Sequence, residues 1–176
     1  MTVKTQIESL TKPTSIALGV FDGVHIGHQA VIGEAVNGEA DGLMPVVFTF
    51  DTGGEKPEHK KGQETILTTS LKRKKMEELG VSVIYEIPFD TVKDYSPEYF
   101  AEHILFSQLH AAKIVCGFDF RFGKNAAGNT ELLKQLCCKM GVEVVVVPPM
   151  MDQGQPVSST RIRRYLKEGD IVSANR

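Results

Sequence analysis

Five short apolar segments, bounded by glycine, proline or polar residues, recur along the chain. They occupy residues 16–19, 46–50, 81–87, 113–116 and 142–147. They are rich in β-branched residues, as is typical of strands that are buried on both faces of a sheet. Helical segments are predicted between these strands, at residues 29–36, 70–79, 97–109 and 130–140.

Residues at the ends of the helical segments support these assignments. Ser96 and Pro97 open the third segment as an N-cap serine followed by proline at the first helical position. Gly80 and Gly141 follow the second and fourth segments, where glycine commonly ends a helix. The alternation of strands and helices predicts a Rossmann-like, doubly wound α/β fold, with helices on both faces of a mostly parallel five- to six-stranded sheet. In such folds the ligand crevice lies at the carboxyl ends of the strands.

Composition narrows the class of protein. The chain has 176 residues, enough for one well-buried domain, and its apolar content of 41% is typical of globular proteins. A formal net charge of −2 argues against a nucleic-acid partner that is bound by bulk electrostatics. No apolar run approaches the roughly 20 residues that cross a membrane, and the N-terminal residues lack a signal-peptide core. Three cysteines make no disulfide framework, which favours a cytoplasmic location.

The segment Gly-Val-Phe-Asp-Gly-Val-His-Ile-Gly-His occupies residues 19–28, between the first predicted strand and the first predicted helix. Backbone N–H groups and the positive end of the helix dipole favour an anion there. His25 and His28 add hydrogen-bond donors for phosphate oxygens, and glycine lets the backbone approach a ligand closely. We interpret the segment as a phosphate site for a nucleotide. The alternatives are a tight structural turn and a zinc site, for which a plausible third ligand is missing.

Two further segments place polar residues after a strand or at a helix start. In residues 117–124, Asp119 is suited to accept hydrogen bonds from a ribose hydroxyl or adenine amine, and Arg121 and Lys124 are suited to hold phosphate charge. The phenylalanines of that segment would anchor it in the core. Residues 157–163 predict a helix start at which hydroxyl groups and Arg163 form a second anion site. By itself, this segment is more typical of a capped surface helix with solvated arginines.

All three segments resemble motifs of one family, and they occur in the family order. The first resembles the His-x-Gly-His signature of nucleotidylyltransferases. Its longer form resembles the FMN adenylyltransferase module of the bacterial riboflavin kinase/FAD synthetases. The second is similar to the Gly-x-Asp-Phe-x-Phe-Gly motif of FAD synthetases, and the third to the Ile-Ser-Ser-Thr-x-x-Arg signature. The resemblance extends from Ile16 to the end of the chain.

The resemblance implies transfer of AMP from ATP to FMN, which yields FAD and pyrophosphate, with Mg²⁺ accompanying ATP and no protein metal site. It implies the following catalytic residues: His28, His25, Arg163 and Ser159. It implies the following ATP-binding residues: Gly19, Phe21, Asp22, Gly23, His25, Gly27, His28, Gly117, Asp119, Ser158, Ser159, Thr160 and Arg163. It implies the following flavin-binding residues: Asp51, Phe120, Phe122 and Lys124.

The chain departs from the family pattern in two places. Thr52-Gly53-Gly54 replaces a Pro-His-Pro element, for which His59 is a candidate substitute, and Ala126-Ala127 stands where many members carry an arginine. These departures keep two alternatives open: a catalytically weak flavin- or nucleotide-binding regulatory module, and an adenylyltransferase for another phosphate acceptor. We expect residues 1–176 to form one nucleotidylyltransferase domain, with the riboflavin kinase domain absent. FMN would then come from a separate kinase domain or protein.

Overall fold

A computed structural model of the chain describes residues 1–51 and 64–175, and strands and helices alternate along both ranges. The strands in these ranges are β1 (Thr2–Lys4), β2 (Thr14–Leu18), β3 (Met44–Phe50), β4 (Val83–Ile87), β5 (Ala111–Gly117), β6 (Arg121–Phe122), β7 (Gly128–Asn129), β8 (Glu143–Val147), β9 (Met151–Asp152) and β10 (Gln155–Pro156). The pairs β6–β7 and β9–β10 form antiparallel hairpins. The other six strands form one parallel sheet in the order β1-β4-β3-β2-β5-β8.

The helices connect successive strands and cover both faces of the sheet. They are α1 (Ile26–Asn37), α2 (Thr69–Glu78), α3 (Phe89–Val92), α4 (Pro97–Tyr99), a π-helix (Phe100–Gln108), α5 (Thr130–Met140), α6 (Ser159–Glu168) and α7 (Ile171–Ala174), with 3₁₀ turns at Gly38–Asp41 and Lys124–Ala126. None of the helices in the described ranges has the length and apolarity that a membrane-crossing helix requires.

The hydrophobic core lies in two layers, one on each face of the sheet. On one face Phe100, Leu105 and Leu133, from the π-helix and α5, pack against strand residues. On the opposite face Ile32 of α1 and Met76 of α2 do the same. Burial of the strands between the two layers explains why their sequences are almost continuously apolar. The predicted doubly wound α/β fold with helices on both faces is therefore confirmed.

The order of the strands places a topological switch point between β2 and β5. From β2 the chain proceeds through β3 to β4 on one side of the sheet, and it then crosses to β5 on the other side of β2. Leu18 and Cys116 are aligned neighbours near the ends of β2 and β5, so Gly19 and Gly117 leave the sheet side by side. This is the position at which open α/β sheets bind ligands.

The predicted strands and helices are all present, with three differences in detail. β1 was not predicted, because three residues beside β4 carry too short a pattern to recognise. The helical segment 97–109 is one α-helical turn followed by a π-helix rather than a single α-helix. On α2 we expected Leu71, Met76 and Leu79 to be the apolar residues; instead Leu71 is 42% exposed and Lys72 is buried.

Candidate active site

The loop between β2 and α1 is shaped by two inward-facing side chains. Phe21 (φ 52°) and Val24 (φ 40°) adopt left-handed backbone conformations, which side chains of this kind rarely accept. Both side chains are buried in the core, so their packing offsets the backbone strain. Gly23, with φ 90°, lies between them in a conformation that favours glycine. The packing of Phe21 and Val24 in the core therefore holds the loop in one arrangement at the carboxyl edge of the sheet.

A Cβ added at either of two glycines, Gly19 and Gly27, would approach an aromatic ring of the loop itself. A Cβ on Gly19 would lie 2.8 Å from the Phe21 ring, closer than carbon atoms approach. A Cβ on Gly27 would lie 3.3 Å from the His25 ring. From the sequence, close approach of a ligand is the expected reason for glycine at these positions. The structure supplies an internal reason at Gly19, and ATP binding by Gly19 and Gly27 stays a prediction.

His25 and His28 lie together at the first turn of α1. Their rings are stacked with centroids 3.6 Å apart and planes 18° from parallel. His25 caps the helix, because its Nδ1 accepts a hydrogen bond from the backbone N–H of His28 at 3.3 Å. In a neutral His25 the proton is consequently on Nε2. The edge of the Phe21 ring meets the His28 ring at a centroid distance of 5.4 Å. The structure thus presents two ordered imidazoles at a helix N-terminus, an arrangement that favours an anion.

Asp22 joins the first motif to the third. Its buried carboxylate forms an ion pair with Arg163 of α6, and it also accepts a hydrogen bond from the backbone N–H of Ile66 at 2.9 Å. The hydroxyl of Ser159 donates to the backbone carbonyl of Asp22 at 2.9 Å. Arg163 Nε donates to the carbonyl oxygen of Glu64 at 2.7 Å. These bonds hold the N-terminal end of α6 against the loop between β2 and α1, residues 19–25, which we call the histidine loop.

This junction bears on the roles expected for three residues. The Asp22 carboxylate and the Ser159 hydroxyl are buried and engaged within the protein. They therefore position the loop and the helix instead of facing a ligand. Arg163 retains one nitrogen, Nη1, which is buried and makes no hydrogen bond to any residue in the described ranges. That nitrogen is a donor suited to a phosphate oxygen at the junction.

The first turn of α6 also lines an open cavity of about 300 Å³. The Ser158 side chain caps the helix by accepting from the backbone N–H of Arg161 at 3.3 Å, and Thr160 is exposed at the cavity. Arg161 itself is held by Asp152 and by the Tyr165 hydroxyl, and the hydrogen bond to Tyr165 raises the pKa of Arg161. Arg161 therefore fixes the β9–β10 hairpin to α6, while the helix end and Thr160 remain available to an anion.

The second motif forms a loop with its aromatic residues inward. Phe122 is buried in the core against Phe100, and Phe120 stacks on Phe122 with a centroid distance of 5.7 Å. Asp119 is exposed at the end of β5, and Lys124 Nζ pairs with Asp94 at 3.0 Å on the surface. The expected anchoring of the loop by phenylalanines is therefore present. Of the expected flavin contacts, Phe122 lies in the core, and Phe120 and Lys124 are nearer the surface.

The end of β3 completes the carboxyl edge. The backbone N–H of Asp51 donates to the carbonyl of Ile87 at 3.1 Å. Asp51 therefore lies beside the end of β4, the strand next to β3. The Thr52-Gly53-Gly54 segment that follows, and His59, the candidate substitute for the Pro-His-Pro element, lie outside the described residues.

His103 lies in the π-helix and His110 follows it, away from the histidine loop in sequence and in sheet position.

Sequence reasoning missed a buried polar cluster beneath the site. Lys72 of α2 is only 2% exposed, and its Nζ donates to Thr49 Oγ1 at 2.9 Å. Burial lowers the pKa of Lys72 to about 8, against the opposing effect of nearby carboxylates. Glu86 of β4, also buried, forms an ion pair with Arg73. The one available signal was spacing, because Lys72 precedes Met76 by four residues and so shares its face of α2.

Comparison with known proteins agrees with this geometry. A sequence model described as FAD synthetase matches residues 7–161. The bifunctional riboflavin kinase/FMN adenylyltransferase of Listeria monocytogenes is 37% identical over 166 residues, which cover 91% of this chain and 52% of that protein. A protein named FAD synthetase from the same organism is 28% identical, over 90% of this chain and 65% of its own length. The chain thus spans about half the length of the bifunctional relative.

A solved structure shows the same fold over nearly the whole chain. The structure described as a macrolide-efflux protein from Streptococcus pneumoniae superimposes with a TM-score of 0.82 and 28% sequence identity. The match covers 99% of this chain and 59% of that one. The arrangement of sheet, helices and connecting loops is therefore one that an experimentally determined structure also contains.

Proposed function

This chain belongs to the FAD synthetase family, and on that premise we propose that it transfers the adenylyl group of ATP to FMN. In this reaction an oxygen of the FMN phosphate forms a bond to the α-phosphorus of ATP. The bond between that phosphorus and the bridging oxygen breaks, and pyrophosphate leaves with the electron pair. The FMN phosphate is already an anionic nucleophile, so the reaction needs no covalent intermediate on the protein.

The observation that carries this proposal is the junction at the carboxyl edge of the sheet. The Asp22–Arg163 ion pair brings the histidine loop and the first turn of α6 together. The first turn of α6 therefore lies against the loop that leads into α1, and the N-terminus of each helix favours a negatively charged group. A substrate with several adjoining phosphates matches such a site better than a substrate with a single anionic group.

We assign the residues of this junction to two roles. His28 and His25 donate to the α-phosphate region, and Arg163 Nη1, Ser158 and Thr160 hold the departing pyrophosphate. Donors of this kind stabilise the charge that develops in the transition state. Asp22 and Ser159 are positioning residues, because their polar atoms are bonded within the protein. Gly117 and Asp119, at the end of the neighbouring strand, are assigned to the adenosine.

The flavin is assigned to residues at the ends of β3 and β5, the strands on either side of β2. Asp51 and Phe120 are both partly exposed there, and Lys124 is exposed. Phe122 supports this surface from the core. Flavin binding by these residues stays a prediction.

Mg²⁺ is proposed as the companion of ATP. In the described ranges, histidine, cysteine and acidic side chains form no group of three that could hold a metal ion. Phosphate oxygens and water are the ligands that Mg²⁺ prefers beside nucleotides, and they would supply its coordination. The protein's own contribution is to hold the phosphates in line.

The supply of FMN is a further part of the proposal. The bifunctional relatives are named for riboflavin kinase as well as for FMN adenylyltransferase. We therefore propose that a kinase domain or a separate kinase supplies FMN. ATP and FMN are substrates of the cytoplasm, and the three cysteines, which are all free thiols, are in keeping with that location.

The test is a turnover assay with purified protein, FMN, ATP and Mg²⁺, in which FAD is separated and quantified. His28→Ala should lower the rate by about 10²–10³, the usual effect of removing a main transition-state donor. His103→Ala, a change to an exposed histidine on the π-helix, is the matched control and should leave the rate unchanged.

The other outcomes discriminate between the alternatives. FMN and ATP binding without turnover would support a regulatory binding module. Turnover of ATP with another phosphate acceptor, but not with FMN, would indicate a different adenylyltransferase. A His28→Ala protein with full FAD synthesis would contradict the assignment of the site.

A further inference from the structure

A buried lysine lies directly beneath the histidine loop. Lys72 is 2% exposed, and its Nζ donates to Thr49 Oγ1 at 2.9 Å and to the Phe50 carbonyl at 3.3 Å. Thr49 and Phe50 form the carboxyl end of β3, the strand beside β2. Removing a cation from water at this position is unfavourable in free energy, and an apolar residue on α2 would fill the same space without that penalty. The position therefore calls for a functional explanation.

Thr49 connects Lys72 to the loop. Its Oγ1 accepts from Lys72 and donates to the backbone carbonyl of Val20 at 2.9 Å. Val20 lies between Gly19 and Phe21, at the start of the loop that carries His25. A continuous chain of hydrogen bonds thus runs from the lysine through the threonine to the loop backbone.

The direction of this chain depends on the proton of the lysine. An ammonium group has three donors and no acceptor, so Thr49 accepts from it and directs its own hydroxyl proton to Val20. A neutral amine has a lone pair, to which the hydroxyl of Thr49 can turn instead. The Val20 carbonyl would then lose its donor. Protonated Lys72 therefore permits only the arrangement that ties the loop to β3.

Charged groups from every neighbouring element act on Lys72. Glu86 on β4, Asp22 in the histidine loop and Asp51 after β3 favour the ammonium form, and Arg73 on α2 opposes it. The two carboxylates of Glu86 and Asp22 are already paired, with Arg73 and Arg163 respectively. Burial of the Lys72 ammonium group away from water has the largest effect, and it lowers the pKa of Lys72 to about 8.

We propose that Lys72 is a positioning residue whose ammonium group, acting through Thr49, holds the backbone of the histidine loop in the arrangement that adenylyl transfer requires. The proposal rests on the proposed function for its activity readout. It identifies no new contact with substrate, because Lys72 is buried beneath the loop. It predicts that the loop is released as Lys72 loses its proton.

The first test is the pH dependence of kcat and kcat/KM between pH 6.5 and 9.5. The unmodified protein should lose activity above about pH 8. Lys72→Met and Thr49→Val should be about tenfold slower at pH 7, the equivalent of one hydrogen bond, and should lack this alkaline loss. Lys74→Met removes a lysine from the exposed side of the same helix, where its side chain is 69% exposed, and should keep the original profile. An alkaline loss that persists in folded Lys72→Met would overturn the proposal.

The second test does not require turnover. In ¹H–¹⁵N NMR spectra of the unmodified protein, the backbone amides of Gly19, Val20 and Phe21 should shift with a midpoint near pH 8. In Thr49→Val the lysine still titrates but its connection is cut, so these amides should no longer follow it. Loop amides that do not titrate, or that titrate equally in Thr49→Val, would overturn the proposal.

The two tests separate this inference from the proposed function. Absence of FAD in the unmodified protein would contradict the adenylyltransferase assignment, and the amide titration would still decide the role of Lys72. If Lys72→Met fails to fold, Thr49→Val answers both tests, because a valine has nearly the same shape and leaves the lysine in place.

Discussion

At the scale of single residues, Asp22 contributes more to the site than its place in a motif indicates. Its carboxylate binds Arg163 and the backbone of Ile66, and its carbonyl binds Ser159. Three segments that are far apart in the sequence thus meet at one residue. The side chain is buried, so the ion pair is largely shielded from water and salt.

Replacing Asp22 with asparagine should destabilise the protein and slow FAD synthesis. The amide keeps an acceptor for Ile66 but removes the negative charge, which leaves Arg163 as a buried cation without a counterion. Loss of one partner of a buried pair costs about 3 kcal/mol of unfolding free energy. Urea unfolding measures this change, and the turnover assay measures the accompanying loss of activity.

Asp152→Asn is the matched control for this substitution. Asp152 pairs with Arg161 in a more exposed place on the β9–β10 hairpin. The Asp152 side chain is 26% exposed, against 8% for Asp22, and Arg161 keeps its hydrogen bonds to the Tyr165 hydroxyl and to two backbone carbonyls, so the unfolding free energy should change less. Equal losses of unfolding free energy in the two variants would contradict the larger stabilising role that we assign to the Asp22–Arg163 ion pair.

The structure explains why sequence reasoning located the motif residues but not the contacts that they make with one another. A motif at the end of a strand indicates that its polar groups reach the carboxyl edge, and His25, His28 and Arg163 do so. The contacts between these polar groups depend on pairs of residues that are distant in the sequence, such as Asp22 and Arg163, which are 141 positions apart. Local patterns carry no information about such a pairing. The burial of Ser159 follows from the same junction.

At the scale of elements, the loop between β2 and α1 is defined by packing as much as by hydrogen bonds. The buried Phe21 and Val24 side chains keep their residues in left-handed conformations. The Phe21 ring occupies the space beside Gly19. Any side chain at Gly19 must therefore move the ring that holds the loop and that contacts His28.

Gly19→Ala should lower the unfolding free energy by about 2 kcal/mol, as overpacking typically does, and should slow FAD synthesis. Gly33→Ala is the matched control in the adjoining helix α1, where an added Cβ meets no atom within 4 Å. Alanine is the better helix former, so that substitution should stabilise the protein by about 0.5–1 kcal/mol. Thermal and urea unfolding of both variants would test the pair, and a neutral Gly19→Ala would contradict the packing argument.

Elements with a strong pattern were predicted, and those that depend on neighbours were not. The segment 130–140 coincides with α5, because an N-cap asparagine, helical spacing and a final glycine all agree there. The π-helix at Phe100–Gln108 was read as α-helix, since both place apolar residues at similar spacing. β1 has three residues and depends on β4 for its definition. The polar face of α2 concealed Lys72, because a lysine is expected in solvent.

At the scale of the whole molecule, stability and activity should respond to pH in opposite directions around Lys72. The folded protein releases this proton near pH 8, whereas an unfolded chain releases it near 10.5. Between these values the unfolded state binds more protons, so the contribution of Lys72 to the unfolding free energy rises with pH. Activity is predicted to fall over the first part of the same range.

The measurement is a series of urea unfolding curves at pH 7.5, 8.25 and 9 for the unmodified protein and Lys72→Met. The difference in unfolding free energy between the two should move in favour of the unmodified protein as pH rises. Above pH 9 the buried thiols of Cys116 and Cys137 act in the opposite sense, because burial raises the pKa of each to about 12. Since both variants retain these thiols, their effect cancels in the difference. A constant difference over pH 7.5–9 would contradict a lowered Lys72 pKa.

The short strand β1 has a consequence for assembly and handling of the protein. It covers the edge of β4, whose five residues are all buried, and Lys4 Nζ lies 5.9 Å from the centre of the Tyr85 ring. Without residues 2–4, the backbone N–H and carbonyl groups along β4 would face solvent as a template for strand pairing. Proteolysis or truncation at this end would therefore expose a strand edge that favours aggregation. Cleavable purification tags are better placed where trimming cannot reach these three residues.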